Sequence, residues 1–189
     1  MISTIYHPLP SSCYGVSKKD LVIKGCILHY MSAVNIDPKK MFDLKTNIQI
    51  LKDYGVGYHF LIDRMGMVYQ LTPLSKQAYH AGESRFKKLK NCNEHSVGIC
   101  LLGGKESMVS VENSHFTLHQ YGSCASVINT MKEMSSRFID DYVTGHENVA
   151  TPKGRREDPG ERFNWKFLGE VMEGKYGTCQ INAEDLIWR

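Results

Sequence analysis

The sequence predicts a single α/β domain with a central mixed β-sheet flanked by helices. Apolar, β-branched segments alternate along the chain with segments whose apolar residues recur at helical spacing, and this alternation is typical of a sheet covered by helices. The length of 189 residues fits one domain, so we assign residues 1–189 to one unit. With 42% hydrophobic and 23% charged residues, the composition excludes disorder, collagen and coiled coil.

The first half of the chain is predicted to form a strand, a helix and a β-hairpin. Residues 21–31 are apolar and β-branched, as in an interior strand. Asp37 before a proline has the pattern of a capped helix start, apolar residues follow at helical spacing, and Gly55 stands where that helix should end. Residues 56–71 comprise two short apolar runs around a turn at 64–66, which favours a hairpin.

The second half is predicted to continue the alternation of strands and helices. In order, the predicted elements are a loop over 72–95, a strand over 96–104, a helix of about five turns from 117, a strand over 141–145 and, after a loop, a final helix from 165. Thr117 and Gln120 have the spacing of a capping box, in which each side chain satisfies the other residue's backbone N–H. Asn164 is the predicted cap of the last helix.

Charge and hydropathy exclude several functional classes. The net charge of +3 is too small to indicate nucleic-acid binding, and no apolar stretch approaches the roughly 20 residues of a membrane-spanning helix. The first twenty residues lack a basic start and an apolar run, so they do not resemble a secretory signal and we expect a cytoplasmic protein. The basic cluster at 85–90 could contact nucleic acid or carboxylates, but a solvated loop is the preferred interpretation. We expect a monomer without nucleic-acid or membrane partners.

Metal ligands, if present, must come from distant parts of the chain. The six cysteines lack the paired spacing of a structural zinc site, and the eight histidines include no HExxH pair. His29 lies near the end of a predicted strand, His146 follows another, and Asp158 lies in a turn sequence before a proline. Each alone has an ordinary structural interpretation. Two imidazoles and one carboxylate are nevertheless a known ligand set for catalytic zinc, and the residues alone leave open whether the three meet.

Five ordered motifs resemble one known family. They are ILHYMSA, VGYHFLIDRMGMVYQL, AYHAG, NEHSVGICLLGG and GHENVATPKGRREDPGERFNW. Their order and spacing resemble the type 2 zinc-dependent N-acetylmuramoyl-L-alanine amidases, which include phage T7-type lysozymes, cytoplasmic anhydro-muropeptide amidases and peptidoglycan recognition proteins. The resemblance covers about residues 20–168 and leaves a C-terminal tail, 174–189, outside it, where we expect Trp188 to pack back on the domain.

The resemblance implies a role for each site residue. His29, His146 and Asp158 match the zinc ligands, and Asp158 matches the anhydro-muropeptide branch, because the T7-type enzymes have a cysteine there. Tyr58 matches the catalytic tyrosine of the T7-type branch. Arg156 stands where the family has a lysine. The resemblance implies that Arg156 supplies positive charge to an oxyanion. The alternative interpretation is an exposed loop arginine with a structural role only. The pocket-lining histidine of the family corresponds to His80, and the resemblance implies that this side chain contacts the substrate.

One position departs from the anhydro-muropeptide pattern. That branch has a glutamate at the end of its SIGIE motif. At the matching position this chain has a cysteine, Cys100, and the T7-type enzymes also have a cysteine there. From the residues alone, Cys26 and Cys100 are interpreted as small core residues. The next residue after Tyr58, His59, points to the other side of its strand and is interpreted as structural.

The implied function is hydrolysis of the amide bond between N-acetylmuramic acid and L-alanine in peptidoglycan or muropeptide, with Zn²⁺ as the cofactor. A zinc ion in such a site activates water and polarises the amide carbonyl. A phage-type, bacteriolytic endolysin is the preferred role. The alternatives are a cytoplasmic amidase that recycles anhydro-muropeptides and a non-catalytic module that binds peptidoglycan.

Overall fold

A computed structural model describes residues 2–15, 22–104, 115–177 and 180–188. Strands within these ranges are β1 (Thr4–Tyr6), β2 (Tyr14–Gly15), β3 (Gly25–Met31), β4 (Phe60–Ile62), β5 (Val68–Gln70), β6 (Gln77–Ala78), β7 (Arg85–Phe86), β8 (Leu89–Lys90), β9 (Ser96–Leu102) and β10 (Val143–Gly145). Six of them form the central sheet in the order β1-β5-β4-β9-β3-β10. The β4–β5 pair is antiparallel and the other neighbours are parallel, which confirms the predicted mixed sheet.

Helices cover both faces of this sheet. The described helices are α1 (Leu44–Tyr54), α2 (Leu118–Met134), α3 (His146–Val149) and α4 (Trp165–Met172). On one face, Ile99 of the sheet belongs to the same buried cluster as Ile128 of α2 and Leu168 of α4. On the other face, Leu102 packs with Leu51 of α1. Because side chains alternate along a strand, each interior strand is covered on both sides, and the predicted fold class is confirmed.

Local capping signals explain where most of the helices begin. The capping box of α2 is present: the Thr117 hydroxyl accepts from Gln120 N–H, and the Gln120 side chain accepts from Thr117 N–H, both at 3.1 Å. The Asn164 side chain caps α4 by accepting from Phe167 N–H at 2.9 Å. The hairpin of β4 and β5 is also confirmed. These elements depend on residues close in sequence, so their patterns were sufficient to predict them.

The first helix begins later than the sequence pattern predicts. Asp37 caps a separate 3₁₀ turn, Pro38–Lys40. Asp43 is the cap of α1, because its carboxylate accepts from both the backbone N–H and the hydroxyl of Thr46 at 2.8 Å. Two capping carboxylates therefore compete, and the α-helix starts at the second. Gly55 ends α1 in the left-handed conformation with φ 62°, as predicted.

The segment predicted as a loop over 72–95 contains secondary structure. The basic cluster forms a short hairpin of β7 and β8 instead of a loop. Its basic side chains are exposed to solvent, as predicted. Phe86 stacks on Tyr142 with ring centroids 3.9 Å apart, and Lys87 forms an ion pair with Asp141. These partners lie more than 50 residues away in sequence, so the short-range pattern gives no sign of the hairpin.

Three other boundaries differ from prediction. The first interior strand begins at Gly25, and residue 21, where it was predicted to begin, lies outside the described residues. Asp140–Tyr142 form a 3₁₀ turn before β10, and His146 begins α3 instead of a loop. The backbone of the tail returns to the domain, since Trp188 C=O accepts from Ser75 N–H at 2.7 Å. The Trp188 side chain is 40% exposed, so the predicted packing of Trp188 is confirmed only for its backbone.

Candidate metal centre

Two neighbouring parallel strands bring the predicted histidine ligands together. His29 lies in β3, and His146 directly follows β10, which pairs with β3 in parallel. The carboxyl ends of parallel strands meet at the same edge of a sheet, where ligands commonly bind. Asp158 comes from the loop between α3 and α4. The ligand-capable atoms of the three residues all lie within 4.8 Å of one another.

The two imidazoles direct the same ring nitrogen toward the carboxylate. His29 Nδ1 lies 2.7 Å from Asp158 Oδ2, and His146 Nδ1 lies 3.2 Å from the same oxygen. His146 Nε2 lies 3.0 Å from Ala81 O. A carbonyl oxygen only accepts, so His146 Nε2 carries the hydrogen and its Nδ1 presents a lone pair toward Asp158.

This donor set fits a zinc ion. Neutral imidazole nitrogens and a carboxylate are among the ligands that zinc binds, and a catalytic site uses three protein ligands with one position left for water. His29 is fully buried and His146 is 4% exposed. A lone pair facing a carboxylate at this distance is repulsive unless a proton or a cation lies between them. The arrangement therefore favours a cation among His29, His146 and Asp158.

The electrostatics keep Asp158 ionised and His29 neutral. Burial alone would raise the pKa of the Asp158 carboxyl, but the interactions with His146 and His29 outweigh it and hold that pKa below its ordinary value. Burial lowers the pKa of His29, although Asp158 partly opposes this. An ionised carboxylate and neutral imidazoles are the protonation states that metal binding requires.

Tyr58 lies beside the ligands as a neutral phenol. Its ring centroid is 4.9 Å from that of His29. Burial raises the pKa of Tyr58 well above its usual value, and the neighbouring Cys100 and Asp158 add to the effect. Cys100 is also a hydrogen-bond partner of Tyr58 and is the cross-strand neighbour of His29 in β9. At neutral pH Tyr58 thus offers an O–H donor next to the predicted metal site.

A cavity of about 410 Å³ opens onto this group. Its wall includes Tyr58, His80, His146, Arg156 and Asp158. Further lining residues, which the motifs did not single out, are Tyr30, Val56, Tyr79, Gly154, Arg155 and Glu157.

The two neighbouring arginines of the cavity wall have different surroundings. The guanidinium of Arg155 donates to the backbone carbonyls of Thr151, Ala81 and Glu83 at 2.9, 3.0 and 2.7 Å. Arg155 is therefore bound to the loop backbone. Arg156 lies close enough to the site to influence the pKa values of His29 and Tyr58. Arg156 lines the cavity, and the charge that it is expected to supply to a bound molecule stays a prediction.

Two further histidines lie behind the ligands. His80 is 7% exposed, and its Nδ1 lies 3.1 Å from His29 Nε2. Its predicted contact with substrate stays a prediction. His59 Nδ1 accepts from Gly98 N–H and its Nε2 donates to Lys76 O, both at 3.0 Å. Burial lowers the pKa of His59 to about 4. The structural interpretation of His59 is confirmed.

The described cysteines are unpaired thiols. Cys13, Cys26, Cys92, Cys100 and Cys124 are all buried and free, whereas Cys179 lies outside the described residues. None of the five belongs to the cluster of His29, His146 and Asp158.

Among the described helices, none is long and apolar enough to cross a membrane.

Comparison with known proteins gives a match over most of the chain. A family model described as N-acetylmuramoyl-L-alanine amidase matches residues 19–161. The 1,6-anhydro-N-acetylmuramyl-L-alanine amidase AmpD of Haemophilus influenzae is 33% identical over 117 residues, which cover 61% of this chain and 59% of the relative. The chain therefore matches little more than half the length of this curated relative.

Solved structures show the same fold. A crystal structure of a selenomethionine derivative of AmpD has a TM-score of 0.68 and 26% identity, with 90% of this chain and 95% of that chain covered. AmiD from Escherichia coli, in complex with the substrate anhydro-N-acetylmuramic acid-L-Ala-D-gamma-Glu-L-Lys, has a TM-score of 0.64 and 23% identity, with 86% and 60% covered. The second likeness, at this identity, concerns the fold alone.

Proposed function

The chain belongs to the N-acetylmuramoyl-L-alanine amidase family, and on this basis we propose that it hydrolyses the amide bond between N-acetylmuramic acid and L-alanine with the help of zinc. The observation that carries the proposal is the convergence of His29, His146 and Asp158 within 4.8 Å at the edge of a cavity. The site would hold zinc through these three side chains. Zinc, when bound, supplies Lewis-acid activation of water and of the amide carbonyl.

Tyr58 is proposed to act as a hydrogen-bond donor. Since its pKa is raised well above the usual value, the phenol keeps its proton at neutral pH and is a poor general base. Its O–H would donate to the carbonyl oxygen of the substrate as negative charge develops there. A donor of this kind contributes more in the transition state than in the ground state.

Arg156 is proposed to stabilise the same developing charge. Arginine remains protonated at working pH, so it can contribute charge and hydrogen bonds but no proton. Its position on the cavity wall supports this role. Arg155, by contrast, is bound to three backbone carbonyls and holds the loop.

A soluble anhydro-muropeptide is the substrate that we favour. The named relative from Haemophilus influenzae is a 1,6-anhydro-N-acetylmuramyl-L-alanine amidase at 33% identity, and Asp158 matches the ligand of that branch. This assignment replaces the endolysin role as the first candidate, and it would place the reaction among recycling steps in the cytoplasm.

A lytic role is the second candidate, and one observation favours it. The group next to Tyr58 is the thiol of Cys100, where the anhydro-muropeptide branch has a glutamate. A thiol there resembles the phage-type branch, whose members act on polymeric cell wall. The two candidates share the same bond and differ in the size of the substrate.

Turnover on two substrates tests the function and separates the candidates. Zinc-loaded protein would be incubated with a soluble anhydro-muropeptide and, separately, with intact sacculi, and new L-alanine amino termini and reducing sugar ends would be counted. We expect amino termini without reducing ends, and faster turnover of the soluble substrate. Faster turnover of sacculi would favour the lytic role. New reducing ends would identify a glycosidase, and binding without cleavage by zinc-free protein would identify a recognition module.

A further inference from the structure

Both predicted histidine ligands direct their Nε2 atom to one short segment of the chain. His29 Nε2 lies 3.1 Å from His80 Nδ1, and His146 Nε2 lies 3.0 Å from Ala81 O. His80 and Ala81 are consecutive residues in the connection between β6 and β7. A single two-residue segment thus contacts the outer nitrogen of each imidazole, on the side away from Asp158.

A third residue anchors this segment. The Asn93 side-chain oxygen accepts from Ala81 N–H at 2.7 Å and from His80 N–H at 3.2 Å. The His80 ring is fixed from the sheet side as well, since it packs against Gly98 of β9, where an added Cβ would lie 2.5 Å from His80 Cγ. The position of His80 is thereby set from its backbone and from its ring.

A zinc ligand at His29 Nδ1 would need a lone pair on that atom, so a neutral His29 would carry its hydrogen on Nε2, which faces His80 Nδ1 at 3.1 Å. His80 would then carry its own hydrogen on Nε2, which is buried without a hydrogen bond of normal geometry. A neutral imidazole that carries its hydrogen on Nε2 presents a lone pair at Nδ1. His80 Nδ1 then accepts from His29 Nε2–H, and His29 Nδ1 is left with a lone pair facing Asp158.

We propose that His80 and Asn93 are positioning residues that orient the zinc ligands. His80 fixes the tautomer of His29, and Asn93 holds the backbone N–H groups of His80 and Ala81. The Ala81 carbonyl of this segment, which also accepts from Arg155, fixes the tautomer of His146. The inference rests on the proposed function, because it concerns the same metal site. Partners of this kind typically change metal affinity about 10- to 100-fold when they are removed.

The affinity for zinc alone tests the assignment without any assay of activity. Competition with a chromophoric chelator would give the zinc dissociation constant of the full chain and of four variants. We expect His80→Ala and Asn93→Ala to weaken zinc binding about 10- to 100-fold. His80→Asn, whose side-chain oxygen takes the place of Nδ1, and Asn93→Asp, which keeps the accepting oxygen, should stay within about threefold of the parent chain.

A buried histidine that does not touch the ligands provides the control. His95 is 9% exposed and is hydrogen-bonded to the Lys90 carbonyl and to Tyr142. His95→Ala should lower the thermal midpoint of the metal-free protein and leave the zinc affinity unchanged. If His80→Ala fails to fold, the Asn93 pair carries the test.

Nitrogen-15 spectra of the zinc-loaded protein provide a second readout. Long-range proton–nitrogen correlations distinguish protonated from unprotonated ring nitrogens, and we expect His80 to carry its hydrogen on Nε2. A hydrogen on His80 Nδ1, or equal zinc affinities for the alanine and the conservative variants, would overturn the positioning role. Failure of the parent chain to bind zinc would instead overturn the proposed function, so the two failures are distinguishable.

Discussion

The protonation state of each side chain at the metal site follows from the contacts of its other polar atoms. Ala81 O accepts from His146 Nε2, so His146 Nδ1 is free to coordinate. Asp158 is held ionised despite its burial, because its interactions with the two histidines lower the pKa of its carboxyl. The cavity, the hydrogen-bond donors and the charges around His29, His146 and Asp158 are therefore all consistent with a metal site.

Asp158→Ala should abolish zinc retention and amidase activity together. The substitution removes one of the three ligands, and two imidazoles alone form an incomplete site. Zinc content after dialysis and turnover of a muropeptide are the measurements. Asp53→Ala, which removes a surface carboxylate from α1, is the matched control. An active, zinc-loaded Asp158→Ala protein would remove Asp158 from the ligand set.

Tyr58→Phe should retain zinc and lose about 100-fold in kcat. The substitution removes only the hydroxyl, and the phenyl ring can still pack beside His29, whose ring centroid is 4.9 Å away. Zinc content and steady-state kinetics on the same preparation check the two parts. Unchanged kcat with normal zinc content would show that Tyr58 only fills space.

The metal-free protein should lose stability in mild acid partly through His59. Its pKa is about 4 in the folded state and about 6.5 when unfolded. As the pH falls below 6.5, the unfolded chain binds a proton that the folded protein refuses. The folded state is therefore disfavoured by about 2 kcal/mol between pH 7.5 and 5. His59→Gln should show a correspondingly smaller loss in urea unfolding at the two pH values, and an identical loss would contradict the assignment.

At the level of the elements, the glycine in β9 links the sheet to the metal site. Glycine inside a strand is typical of a close approach by another group, and at Gly98 that group is the His80 ring. The glycine is visible in the sequence motif SVGIC, but its partner is not, because His80 comes from a different segment. The lack of a side chain at Gly98 in β9 is therefore needed for the position of the His80 ring beside the metal site.

Gly98→Ala should weaken zinc binding although it changes no ligand. The new Cβ would lie 2.5 Å from His80 Cγ, so the ring must shift, and its Nδ1 atom, 3.1 Å from His29 Nε2, shifts with it. Gly122→Ala in α2 is the control, because outside its chain neighbours and its own helix backbone no described atom lies within 4 Å of the added Cβ. Alanine is also favoured over glycine in a helix by about 0.5–1 kcal/mol. Zinc affinity and the free energy of unfolding would be measured for both. A normal zinc affinity in Gly98→Ala would contradict the packing argument.

For the whole molecule, predictions from sequence succeed where the determining contacts are local. The capping box at Thr117 and the hairpin of β4 and β5 depend on neighbouring residues, and both are present. The predicted start of α1 was wrong, because Asp37 and Asp43 can both cap a helix and α1 begins after the second. The β7–β8 hairpin was missed because its packing partner, Tyr142, is distant in sequence.

The predictions about the metal site divide in the same way, between local patterns and contacts of distant residues. The composition and spacing of the chain left open whether His29, His146 and Asp158 meet, and the family resemblance supplied that expectation. The orienting segment of His80 and Ala81 was not predicted, since each hydrogen bond joins residues at least 51 positions apart. Contacts of this kind exist only once the sheet has placed β3 beside β9 and β10.

The position of oxygen from labelled water tests the central claim most directly. Zinc-loaded protein would be incubated with a soluble anhydro-muropeptide in ¹⁸O-labelled water, and the products identified by mass spectrometry. Amide hydrolysis predicts one labelled oxygen in the lactyl carboxylate of the muramic acid and an unlabelled peptide that begins with L-alanine. Label on a sugar carbon, label within the peptide, or recovery of intact muropeptide would contradict the account.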